Sequence, residues 1–197
     1  LAPIVRELRA NNNIHLHLDL IAGLPYENYE SFGHSFDNVY ALRPHTLQLG
    51  FLKVLKGTEL YLKRNEHRIA YLPYAPYEVL STKYITAEEI VRLKGVEDVL
   101  EKYYNSGKFP FTIELVTAGY SRAFSFYEVF GDWWVSEGLH LINHNTLGLA
   151  DMLYRFCAVE GRVDLQELAY ALKFDLCLHE KPKKQPLCLE SLPVEEN

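Results

Sequence analysis

The sequence predicts an α/β fold, one βαβ unit followed by a mostly α-helical half. Three observations predict it. His15 to Pro25 reads as an apolar strand ended by a Gly-Leu-Pro turn, residues 28–42 and then 46–55 supply an amphipathic helix and a second apolar strand, and beyond residue 86 the apolar residues recur only at helical spacing. Two largely apolar strands separated by one helix pair in parallel, with a right-handed crossover.

Each element has its own signal. In residues 3–10, Ile4, Val5 and Leu8 share a helical face, and Asn11 to Asn13 tolerate the left-handed conformation that ends a helix. The first strand is expected over 14–21. There His15, His17 and Asp19 stand two apart, so three polar side chains share one face of a strand otherwise built from Leu and Ile. Polar groups on such a strand need a partner or a task. Gly23 permits a tight turn, and Pro25 presets φ for a helix's first turn. The helix over 28–42 carries Phe32, Phe36, Val39 and Tyr40 as a stripe and stops at Arg43-Pro44-His45. The second strand, 46–55, is apolar on both faces apart from Gln48 and Lys53, and Lys56-Gly57-Thr58 closes it.

Residues 63–84, rich in Tyr, Pro and charge, read as an ordered connector, which places domains at 1–62 and 63–197. Thr86-Ala87-Glu88-Glu89 is a capping box opening a helix with Ile90, Leu93, Val96, Leu100 and Tyr103 at helical spacing, ended by Asn105-Ser106-Gly107. Aromatic residues dominate 109–134, with helices expected near 109–118, a stretch equally compatible with a strand, and 122–137. Leu147 to Cys157, closed by Gly161, forms another helix; Asp164 caps the last, with Leu165, Leu168, Ala169, Leu172 and Leu176 on one face. Residues 181–186 read as a solvated tail.

Composition narrows function. With 48% hydrophobic residues in 197, the chain can bury a core, and no run approaches the roughly 18 apolar residues of a membrane helix. A soluble, cytoplasmic protein is expected. The net charge of −6 argues against nucleic acid as the main partner; a small-molecule or unidentified substrate is expected. Cys157, Cys177 and Cys188 lie far apart, which suits core packing rather than a disulfide framework or a close-spaced metal site. The chain begins at Leu1 without Met and its opening residues already look helical, so an upstream part of a longer protein is expected.

Asp19-Leu20-Ile21-Ala22-Gly23-Leu24-Pro25, an aromatic-striped helix, and then Leu47 to Thr58 (Leu-Gln-Leu-Gly-Phe-Leu-Lys-Val-Leu-Lys-Gly-Thr) resemble the fifth and sixth strands of radical S-adenosylmethionine enzymes. The branch is that of oxygen-independent coproporphyrinogen oxidases and cobalamin-binding radical enzymes. Tyr84 to Glu89 and Phe174 to His179 fit a trailing helical domain of unknown function in such proteins. The resemblance implies the last strands of a (β/α) barrel. It also implies S-adenosylmethionine and a [4Fe–4S] cluster as cofactors, with cobalamin as a further possibility in the branch, and a deoxyadenosyl radical acting on an unidentified substrate. In those enzymes a CxxxCxxC loop holds the cluster. This sequence has no such motif, so the fragment alone is expected to hold no cluster, to be inactive, and to self-associate through its open strand edges.

By the same resemblance Asp19 contacts the cofactor's adenosine portion, Gly50 and Phe51 lie against the adenine, and Lys53 meets a carboxylate of cofactor or substrate. Each has a plainer reading. Asp19 caps the following turn, Gly50 admits a packed helix, and Lys53 is a surface lysine. No catalytic residue is assigned. A barrel hydrolase holding a divalent metal on His15, His17 and Asp19 is a second reading. A non-catalytic interaction module is a third, with the aromatic helical half as its working surface; in the full enzyme Phe124, Phe126, Tyr127, Phe130, Trp133 and Trp134 could wall a substrate pocket, and by default they are core. His140 and His144 read as lone structural residues.

Overall fold

The computed structural model describes residues 2–10, 13–179 and 186–189. It is α/β and mostly helical, in two compact units, Leu1–Glu97 and Asp98–Asn197. Asn11, Asn12 and most of the expected tail at 181–186 lie outside the described residues.

The first unit opens with α1 (Ala2–Ala10), of which Val5 is buried while Ile4 is 62% exposed, so the expected apolar face narrows to Val5 and Leu8. β1 (His17–Ala22) and β2 (Thr46–Phe51) pair in parallel, joined by α2 (Tyr29–Tyr40). Register sets Asp19 opposite Gln48 and Ile21 opposite Gly50. The expected βαβ unit is present; among the described residues its parallel sheet has two strands. Pro25 does not start the helix as expected. It leads a turn closed by the Glu27 amide on the Leu24 carbonyl at 3.4 Å, and α2 begins behind Asn28, whose side chain caps the Ser31 amide in a capping box. Phe32 and Phe36 are buried, as are Leu47 and Leu49 of β2.

β2 ends at Phe51, four residues earlier than the pattern suggests. The Leu52 amide makes the last parallel bond, to the Ala22 carbonyl at 3.0 Å, because β1 then turns away at Gly23 (φ +88). Residues 52–54 run on against a hairpin in the segment read as connector. β3 (Ala70–Tyr71) pairs antiparallel with β4 (Val79–Ser81), while Val79 donates to Leu52 and Val54 to Tyr77. Burial changes sides at this junction: Leu47 and Leu49 are buried within the parallel pair, Leu52 and Val54 beyond it. A Cβ at Gly23 would lie 2.8 Å from a methyl of Val79, so the turn and the hairpin fit only without a side chain. A short helix α3 (Glu59–Lys63), capped by Thr58, precedes the hairpin. α4 (Ala87–Val99) follows it; the Thr86 amide donates to Glu89 at 2.7 Å and the Glu89 amide to Thr86 Oγ1 at 3.2 Å, which is the expected capping box.

The second unit contains a π-helical turn, Leu100–Asn105, then α5 (Pro110–Ala118), α6 (Ala123–Ser136), α7 (Thr146–Glu160) and α8 (Leu165–His179). The ambiguous stretch at 109–118 is helical. Phe109 offers no side-chain cap, and Asp175 of α8 supplies one from outside: its buried carboxylate accepts from the Phe111 and Thr112 amides at 3.2 and 2.8 Å and from Thr112 Oγ1 at 2.6 Å. Phe124, Phe126, Tyr127, Phe130 and Trp134 of α6 are buried with Tyr103 and Phe156, while Trp133 is half-buried beside Arg155. The aromatic stretch is therefore core. Its polar ends are matched, Tyr103 donating to the Leu149 carbonyl at 2.9 Å and Trp134 Nε1 to Asp98 at 2.7 Å. His144 is structural too, held at 2.9 Å from the Leu139 carbonyl. Of the cysteines, Cys157 packs in the core as expected and Cys188 is half-buried, but Cys177 is exposed on α8.

Gly23→Ala should lower stability by about 1–3 kcal/mol, from positive φ and the collision with Val79 together. Urea denaturation measures this, and an unchanged midpoint would mean the hairpin is not seated on the turn. Burial raises the thiols of Cys157 and Cys188 from 9.0 to about 12, with Glu160 and Asp151 respectively adding to it. Above the unfolded value the unfolded chain gives up these protons while the folded chain keeps them. Their contribution to stability is therefore full below about pH 9 and lost as pH rises toward about 12. Alkaline denaturation curves check the slope, and thiol labelling near neutral pH should reach Cys177 well before Cys157.

Candidate functional site

The two sides of the parallel pair differ in chemistry. One carries Leu47 and Leu49, buried, with Leu18 and Leu20 half-buried and Ala22 fully buried. The other carries His17, Asp19 and Ile21 beside Thr46, Gln48 and Gly50, and it is open: the side chains of His17 and Asp19 are 48% and 66% exposed. His17 Nε2 lies 3.0 Å from Gln48 Oε1 and 3.1 Å from Asp19 Oδ1. Both neighbours accept, so Nε2 carries a hydrogen. His15, ahead of the strand, reaches Thr46 Oγ1 at 3.0 Å and stacks on His45 with ring centroids 4.9 Å apart. His45 in turn accepts from the Leu16 amide through Nδ1 at 2.9 Å.

Of the four residues implied by resemblance, the structure brings two together. Asp19 and Gly50 share the open face, two residues apart in register. Asp19 makes no hydrogen bond to the turn that follows; its partner is His17. A Cβ at Gly50 would meet only the Leu20 carbonyl, at 3.8 Å, so this glycine is not there to admit a helix. Phe51 is in step with Leu47 and Leu49 on the covered side, where Lys94 Nζ lies 4.1 Å from its ring centroid. Lys53, exposed past the last parallel pair, pairs with Glu78 in an isolated antiparallel backbone bridge and belongs to the stretch where burial has changed sides. A six-residue strand alternates sides, and consecutive Gly50 and Phe51 cannot face the same pocket.

His15, His17 and Asp19 do not converge as a ligand set. The first two aim their Nε2 atoms at different residues of β2, and among the described residues no three His, Cys, Asp or Glu gather to hold a metal ion. No helix among them is long and apolar enough to cross a membrane.

The sequence reading also missed a cluster. Tyr26, two residues past the turn glycine's neighbour Leu24, has φ +69 and is 75% exposed, with its ring 5.3 Å from that of His67 and 5.2 Å from that of Tyr84. His67 is 4% exposed. Both partners sit in the segment read as connector, where only the presence of a lone His among tyrosines and charges gave a signal.

Residues 65–197 match the family described as a protein of unknown function, DUF4080. The match covers more than half of the chain, and the chain belongs to that family. No curated protein matches it. The match starts beside the expected boundary at 62/63, yet its first part, through Glu97, is folded in the same compact unit as β1 and β2.

Gly50→Ala in this chain should leave stability unchanged or raise it by about 0.5–1 kcal/mol, since glycine in a strand is entropically unfavourable and the site is open. A denaturation midpoint that falls clearly would show the position to be packed.

Proposed function

We propose that this chain is the carboxyl-terminal part of a radical S-adenosylmethionine iron–sulfur enzyme, with β1 and β2 as late strands of its barrel. The observation that carries the reading is the one-sidedness of the parallel pair. In a (β/α) barrel the helices cover the outer face and the inner face lines the site. Here α2 and the buried leucines mark an outer side, and Asp19 and Gly50 stand on the other. The strand motifs that resemble the family, and the DUF4080 match over the helical remainder, agree with that reading without naming an activity.

The chain's residues fit one of the implied cofactors. Asp19, uncommitted to the turn, offers acceptor oxygens for the paired hydroxyls of a ribose, and the bare face over Gly50 leaves room for a flat ring. S-adenosylmethionine, when bound, supplies the hydrogen-abstracting radical of this enzyme class. Here Asp19 orients the nucleoside, with His17 fixing the carboxylate's position from 3.1 Å and Gln48 fixing His17 in turn. The cluster does not fit this chain. Cys157, Cys177 and Cys188 are neither adjacent in sequence nor alike in exposure, so its ligands belong to residues outside this sequence. Phe51 is not among these contacts, because it lies on the covered side of the pair, and Lys53 lies past the last parallel pair, where burial has changed sides.

The test uses the full-length protein. Anaerobic reconstitution should give an iron–sulfur spectrum, and Asp19→Ala should weaken S-adenosylmethionine binding by about 1–3 kcal/mol in calorimetry, the scale of a lost charge-assisted hydrogen bond. Gly50→Val should weaken it as well, while Phe51→Leu leaves it nearly unchanged. Wild-type affinity in Asp19→Ala would remove the assignment.

A further inference from the structure

We draw no further inference here: the strongest candidate, the exposed apolar face that Tyr170, Phe174 and Leu178 of α8 form with Phe111 of α5, carries nothing because nothing in the structure shows what covers it.

Discussion

The register of β1 against β2 is the constraint on which the first unit depends. Because side chains alternate sides along a strand, pairing Asp19 with Gln48 and Ile21 with Gly50 puts every polar residue of both strands on one side and Leu18, Leu20, Leu47 and Leu49 on the other. A slip of one residue would turn Gln48 to the covered side and expose two leucines. The leucines alone are worth about 1.5–3 kcal/mol each on burial, so the alternative is strongly disfavoured. The same register leaves Gly50 beside Asp19, which is what turns two unremarkable strand residues into one candidate site.

That arrangement is finished by the hairpin. β1 leaves the sheet at Gly23, and residues 52–54 lose their parallel neighbour. The backbone groups left behind are taken up by Tyr77 and Val79. Buried backbone groups must be paired, so the hairpin is part of the fold of the strands it follows. Val79 closes over Gly23 from the same element, and a side chain there would separate the two. The DUF4080 match therefore starts inside this compact unit.

In the second unit the constraint is the start of α5. A helix entering through Phe109 and Pro110 has no cap of its own, and its free amides lie among buried residues. Asp175 answers them from another helix, which couples the position of α8 to the first turn of α5. In the aromatic core the buried polar ends find partners, as Trp134 Nε1 does in Asp98 and the Tyr103 hydroxyl in the Leu149 carbonyl.

Much of this was written in the sequence. Helical periodicity and capping residues are local, and the helices opened by Thr86, Asn145 and Asp164 have the caps that the residue types imply. The βαβ unit was equally legible, since apolar runs of that length separated by a striped helix admit few other arrangements. Tertiary structure alone decided where β2 stops, because that depends on the loss of a neighbour at Gly23. It also decided that Phe51 lies on the side of the pair away from Asp19. Motif resemblance lists residues without their parity, whereas the pleat assigns each to a side. The hairpin at 70–81, with strands of two and three residues, is too short for any period to reveal. The Tyr26–His67–Tyr84 cluster joins residues more than forty positions apart, and Asp175 caps a helix more than sixty residues earlier. Local sequence fixes which elements form through interactions spanning a few residues, and contacts made across such separations exist only once the chain has closed on itself.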